Sequence, residues 1–193
     1  MASDAGDSRL TPRLARHLVA IYSDVHDTVI DFDADADADA DVQQAAEATG
    51  RTYTTLTSAE AVDTSTHRPA PAGLILLRWP RPGTAGAEPD ATSLLSCCRQ
   101  HLADDGSTIV VVTATQLGAD GTRYGDYERV LLPATKAAGL QHLHDFVPLD
   151  TDDGRDTFTF ATDQHTAAPT DPGTMRHLTA TTLMIFGHRG RRP

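Results

Sequence analysis

The sequence is poor in cysteine, lysine and aromatic residues, and it contains no long apolar run. Its two cysteines, Cys97 and Cys98, are adjacent, so they cannot form a disulfide framework or a four-ligand zinc site. No segment approaches the roughly 20 apolar residues that a membrane-spanning helix needs. The N-terminus also lacks the positive start and apolar centre of a signal peptide. These absences predict a cytoplasmic protein without membrane contact.

Positive charge is scarce as well. The chain has 27 acidic and 16 basic residues, which give a formal net charge of −11, and Lys136 is its only lysine. Binding to DNA or RNA is largely phosphate neutralisation, so a net negative charge opposes it over long range. We therefore expect a protein partner or a homo-oligomer rather than a nucleic acid.

The chain of 193 residues has the length of one domain with a full core. Residues 1–9 are polar and predicted to be disordered, residues 10–188 are predicted to form the domain, and residues 189–193 form a basic tail. Apolar spacing, capping residues and glycines predict helices at 12–22, 41–50, 91–103 and 126–138, the last interrupted or restarted at Pro133. Asp41 and Gln44 have the spacing of a capping box for the second helix.

Short apolar runs alternate with these helices and are typical of buried parallel strands. Strands are predicted at 29–32, 52–57, 73–77, 107–113, 140–149, 156–162 and 178–186. The order predicts a three-layer α/β domain with a mainly parallel sheet, helices on both faces, and 140–149 paired antiparallel with 178–186. Ile30, Ile75, Leu76, Val110 and Val111 are predicted core residues. Residues 78–82 are predicted to be a proline-broken loop, and residues 104–106 a turn.

Two stretches have residue types that bind metals. Aspartate alternates with alanine after residue 31, as in a calcium loop, but the glycine and glutamate of that motif are missing at its sixth and twelfth positions. His142 and His144 would point the same way on a strand, as a metal pair does. A solvated acidic loop and ordinary exposed histidines are the favoured interpretations, so no metal is predicted; the acidic candidates are Asp33, Asp35 and Asp37.

Several segments resemble the class I S-adenosylmethionine-dependent methyltransferases, in particular the enzymes that methylate adenine N6 or cytosine N4 in DNA. Asp-Thr-Val-Ile-Asp at 27–31 is similar to the strand before the cofactor loop, and residues 94–112 are similar to the helix, turn and strand after the catalytic loop. Leu-Met-Ile-Phe at 183–186 is similar to the final strand. The resemblance implies a Rossmann-like methyltransferase fold with S-adenosylmethionine as the candidate cofactor. It places four residues near that cofactor: Asp31, Phe32, Asp33 and Glu60.

The chemistry-bearing motifs of that family are altered. The cofactor loop has no glycine between Asp31 and Gly50, although the family's loop is glycine-rich. The catalytic loop of the family offers a polar acceptor and an aromatic residue to a flipped base. In its place this chain has Arg78, Trp79 and Pro80, which are the candidate catalytic residues. We therefore expect a catalytically degenerate protein that acts as a binding or regulatory module. The alternatives are a divergent S-adenosylmethionine-dependent methyltransferase and a self-assembling structural protein.

Overall fold

The computed structural model describes seven ranges of the chain: 10–32, 40–56, 70–79, 90–113, 124–149, 157–161 and 181–188. Within them lie four helices and the seven strands of one sheet. The predicted disordered N-terminus, most of the acidic stretch and the basic tail lie outside the described residues. None of the four helices is long and apolar enough to cross a membrane.

The first two helices form where the capping pattern predicted helical structure. Helix α1 spans Pro12–Tyr22, and the Thr11 side chain caps it by accepting a hydrogen bond from the Leu14 amide at 3.2 Å. Proline suits the first helical position because it has no amide hydrogen to leave unpaired. Helix α2 spans Ala40–Ala48 and is followed by Gly50 with φ of 77°. Asp41 was predicted to cap α2, but it lies inside the first turn, because the helix already begins at Ala40.

The other two helices lie on the opposite side of the sheet. Helix α3 spans Ala91–His101 and is capped by Asp90, and it carries Cys97 and Cys98, which form no disulfide. Helix α4 spans Tyr124–Ala137 and ends before Gly139, which has φ of 79°. The predicted interruption of α4 at Pro133 was wrong, because the helix continues through this proline.

The sheet has the strand order β2-β1-β3-β4-β7-β5-β6. The strands are β1 (Thr28–Phe32), β2 (Thr52–Leu56), β3 (Ala72–Trp79), β4 (Leu102–Thr113), β5 (Leu140–Leu149), β6 (Thr157–Ala161) and β7 (Thr181–His188). Strands β2, β1, β3 and β4 are parallel, whereas β7 runs antiparallel to both of its neighbours, β4 and β5. The predicted antiparallel pairing of β5 with the last strand is thus confirmed.

Successive side chains of the strands point to opposite faces of the sheet and form two apolar clusters, one on each face. Helices α1 and α2 cover the face that contains Val29, Leu76 and Val111, whereas α3 and α4 cover the face that contains Ile30 and Val110. All of the predicted core residues are buried. Because both faces are covered by helices, the apolar runs of the central strands are continuous rather than alternating. The three-layer architecture is confirmed.

Two segments that were predicted to be irregular belong to strands. Arg78 and Trp79 are the last two residues of β3 rather than the start of a loop. Residues 104–106 lie in β4, but the register shifts here: Ala72 pairs with Leu102, and Leu74 pairs with Ser107. The predicted turn is therefore an irregularity within a strand. At Gly106 an added Cβ would lie 2.6 Å from the Ala72 carbonyl oxygen, so only glycine allows this close approach.

Candidate functional site

The strand order reverses between β1 and β3. From β1 the chain continues to β2 on one side, whereas from β3 it continues to β4 on the other side. Open α/β sheets bind their ligands outside the carboxyl ends of the strands at such a reversal, because the connecting segments diverge there and leave a crevice. Here those ends are formed by the last residues of β1, up to Phe32, and of β3, up to Trp79.

A charged cluster joins three neighbouring strands at this place. Arg78 donates from Nη1 to Asp31 Oδ1 at 2.6 Å and from Nη2 to Oδ2 at 3.2 Å. Tyr53, on the edge strand β2, donates its hydroxyl to Asp31 Oδ2 at 3.3 Å. The Asp31 side chain is 0% exposed and the Arg78 side chain 12% exposed. The register explains the geometry: Asp31 pairs with Leu76, so Arg78 follows two positions later on the same face.

The two charges satisfy each other in a place where water hardly reaches. Removing an ion from water costs on the order of several kcal/mol, and a buried pair repays this only with good geometry and additional hydrogen bonds. The fork of the guanidinium supplies that geometry, since it matches both carboxylate oxygens at once. Both oxygens of Asp31 therefore accept hydrogen bonds. The cluster fixes a cation at the end of β3 and does not present an uncommitted general base.

The other predicted residues at this edge point away from the cluster. Phe32 and Trp79 are buried in the apolar cluster beneath α3 and α4, on the opposite face from Asp31 and Arg78. Successive strand residues alternate between faces, so the sequence run from Arg78 to Trp79 cannot line one surface, as a loop could. Asp33, Asp35, Asp37, Glu60 and Pro80 lie outside the described residues.

Trp79 instead forms part of a cavity of about 450 Å³ between α3 and α4, together with Asp90, Thr92, Pro133 and Ala134. Asp90 stands at the start of α3. The amide of Thr92 and then the hydroxyl of Ser93 donate to its carboxylate and hold the pKa of Asp90 below its ordinary value. The cavity is separated from the Asp31 cluster by the sheet itself.

The predicted common direction of His142 and His144 was wrong. The register of β5 against β7 shifts between these two residues. As a result the His142 ring packs against Phe186 on the face of α3 and α4, whereas His144 Nε2 lies 2.8 Å from the Tyr22 hydroxyl of α1. His142 pairs with Asp145 at 2.7 Å. The described residues contain no group of three or more histidine, cysteine or acidic side chains that could hold a metal ion.

Tyr53 was not among the residues predicted for the site. It lies on an edge strand rich in threonine, and such residues are ordinary for a strand. Its hydroxyl reaches Asp31 because Tyr53 pairs with Val29, which lies two residues before Asp31 and on the same face of β1. The contact between Tyr53 and Asp31 depends on the register between β1 and β2, and the local sequence does not predict that register.

No protein family model and no curated protein matches the chain. A putative S-adenosylmethionine-dependent methyltransferase from Streptococcus mutans is similar in structure, with 10% identity, a TM-score of 0.52, and coverage of 93% of this chain and 49% of that one. A TehB-like S-adenosylmethionine-dependent methyltransferase from Corynebacterium glutamicum has 14% identity, a TM-score of 0.46, and coverage of 91% and 87%. TrmN from Thermus thermophilus has 13% identity, a TM-score of 0.45, and coverage of 93% and 49%.

The chain therefore spans about half the length of the Streptococcus and Thermus proteins. At these identities the likeness concerns the fold. Together with the strand order, the Streptococcus structure shows that the predicted Rossmann-like methyltransferase fold is correct.

Proposed function

We propose that this chain is an S-adenosylmethionine-dependent methyltransferase whose cofactor crevice lies outside the carboxyl ends of β1 and β3. The buried pair of Asp31 and Arg78 is the observation that carries the proposal. Buried charges are costly and concentrate at functional sites, and this pair lies at the reversal point where open α/β sheets bind ligands. The likeness of fold to a putative methyltransferase supports the choice of cofactor.

The partly exposed guanidinium at this edge fits a cofactor that carries a negatively charged group. S-adenosylmethionine has a carboxylate, an ammonium group and a sulfonium centre, and it would supply an electrophilic methyl group when bound. The chain offers the guanidinium of Arg78 at this edge, and Asp31 and Tyr53 hold it within one hydrogen-bonded cluster. Phe32 is buried on the other face of β1, so the sheet behind the cluster is packed with apolar side chains.

A second candidate function is a module that binds the cofactor or a protein partner without transferring a methyl group. The observation that favours it is the commitment of Asp31, since both of its oxygens accept hydrogen bonds from Arg78 and Tyr53. The polar acceptor that the family's catalytic loop offers to a target amine is also absent at the end of β3, where Arg78 and Trp79 stand. This candidate corresponds to the degenerate protein expected from the altered motifs.

DNA is not the acceptor that we propose. The formal net charge of −11 opposes binding to a polyanion. A base-stacking role for Trp79 would require an accessible indole ring, but Trp79 is only 3% exposed. The candidate acceptors are therefore small molecules or proteins rather than adenine or cytosine in a duplex.

The test begins with calorimetry of the full chain against S-adenosylmethionine and S-adenosylhomocysteine. We expect both to bind, and binding of either excludes the self-assembling structural alternative as the whole function. Transfer of a radiolabelled methyl group to small-molecule acceptors or to protein then supports the enzyme, whereas binding without transfer to any acceptor class supports the module. Absence of binding to both compounds would contradict the proposed function.

A further inference from the structure

The two residues of the buried ion pair, Asp31 and Arg78, differ in how much of each side chain is exposed to solvent. The Asp31 side chain is fully covered, whereas the Arg78 side chain keeps 12% of its surface exposed. Arg78 is also the penultimate residue of β3, two positions beyond the level of Asp31 in the paired strands. Of the two charges at the strand reversal, the guanidinium thus lies nearer to the surface at the carboxyl edge.

We infer that Arg78 is the residue that recognises the ligand at this site, by receiving the carboxylate of the cofactor's amino-acid part, and that Asp31 is its positioning residue. This inference rests on the proposed function, since it names the partner of one group of the proposed cofactor. It reverses the roles predicted from the resemblance, in which Asp31 faces the cofactor and Arg78 lies on the substrate side.

The chemistry of the two side chains supports this division of roles. An ionised carboxylate only accepts hydrogen bonds, and both oxygens of Asp31 are already engaged. A guanidinium presents five donors in a rigid planar fork, and its match to carboxylates is geometric as well as electrostatic. Asp31 holds that fork at two points, 2.6 Å and 3.2 Å away, so the orientation of Arg78 is set before a ligand arrives.

Preorganisation strengthens binding because little side-chain freedom remains to be lost. Ordering a flexible side chain at a binding site weakens association, and a side chain that is already fixed avoids that cost. Arg78 is fixed by a bidentate contact inside the protein, and Asp31 is fixed in turn by the Tyr53 hydroxyl. The charge of the chain adds a reason for a dedicated cation, since a net charge of −11 repels a free carboxylate over long range.

The test compares two ligands in two variants that do not leave Asp31 charged and unpaired. Asp31→Asn keeps the guanidinium with a neutral partner of the same shape, and Asp31→Asn/Arg78→Gln removes the guanidinium as well. The ligands are S-adenosylhomocysteine, which has the carboxylate, and 5′-methylthioadenosine, which lacks the amino-acid part that carries it. Binding is measured by calorimetry, and thermal unfolding confirms that both variants are folded.

We expect the double variant to bind S-adenosylhomocysteine at least about tenfold more weakly than Asp31→Asn does, which is the usual scale of a hydrogen bond to a charged group. For 5′-methylthioadenosine the two variants should differ by less than about twofold. Equal losses for both ligands, or no loss for either, would overturn the inference and leave the proposed function standing. If the unaltered protein binds neither ligand, both the inference and the proposed function fail.

Discussion

Breaking the buried ion pair from one side should destabilise the protein far more than removing the pair as a whole. Arg78→Met leaves the Asp31 carboxylate, which is 0% exposed, with only the Tyr53 hydroxyl at 3.3 Å. An uncompensated buried charge of this kind costs about 3–5 kcal/mol of unfolding free energy. For a domain of this size that corresponds to a fall in melting temperature of about 6–20 °C.

The double variant Asp31→Asn/Arg78→Met should recover most of that loss. It replaces both charges together, and such replacements are often neutral or even stabilising, because no ion remains to be desolvated. The free energy of unfolding in urea, measured for the parent, both single variants and the double variant, gives the coupling between the two residues. We expect the double variant to be more stable than Arg78→Met by at least about 2 kcal/mol.

A surface ion pair of the same chain serves as the matched control. Arg129 and Asp126 of α4 are 3.5 Å apart, and their side chains are 83% and 48% exposed. Solvent screens this pair, so Arg129→Met should change stability by less than about 0.5 kcal/mol. The reasoning is refuted if Arg78→Met costs no more than Arg129→Met, or if the effects of the two changes at the buried pair simply add.

Three further predictions concern other parts of the chain. Burial lowers the pKa of His144, the neighbouring His142 lowers it further, and Asp145 opposes both. The unfolded chain therefore binds more protons below about pH 6.5, so the free energy of unfolding falls as the pH drops from there. His144→Gln should flatten this pH dependence, measured by urea unfolding between pH 7.5 and 5.5. Gly50 has φ of 77°, so Gly50→Ala should lower the free energy of unfolding by about 1–2 kcal/mol. At Gly125 in α4 an added Cβ meets nothing within 4 Å, so Gly125→Ala should raise that free energy by about 0.5–1 kcal/mol. Equal effects of the two changes in thermal unfolding would contradict this prediction. Asp33→Asn, Asp35→Asn and Asp37→Asn together neutralise part of the acidic stretch. This variant should have a modestly higher melting temperature at low salt, and the gain should be smaller at about 0.15 M salt, where the screening length is roughly 8 Å. A lower melting temperature of the variant, or a strong rise in the melting temperature of the parent alone in millimolar calcium, would indicate an ordered ion site.

The core could be predicted from the sequence because burial leaves a local signature. Runs such as the one around Ile75 have no polar alternation, and that pattern occurs where helices cover both faces of a strand. The end of β3 was missed although the sequence contained the signal. The residue before a proline prefers extended backbone, so Pro80 is compatible with a strand that continues to Trp79. The turn signal at Gly106 was real, but it marks an irregularity within β4.

The candidate site could be predicted only in part, because it depends on registers between distant segments. Asp31 was a candidate because its strand resembles the one before the cofactor loop of the methyltransferases, and Arg78 because it stands in the place of their catalytic loop. Their pairing follows from the alignment of β1 with β3, which includes a shift between Thr28 and Val29. His142 and His144 illustrate the same point, since one register shift sends them to opposite faces. A local pattern predicts which face a side chain shares only while the strand stays regular.

The position of β7 has a consequence for how the chain is made. This strand lies between β4 and β5, yet it is the last of the seven described strands in sequence. It begins about thirty residues after β5 ends, which corresponds to about 2–6 s of synthesis at about 5–20 residues per second. During that interval β4, with Ile109 and Val111, has no partner on its β7 side. A ribosome that stalls before β7 would thus hold a nascent chain with an open, apolar strand edge, the kind of surface that chaperones shield.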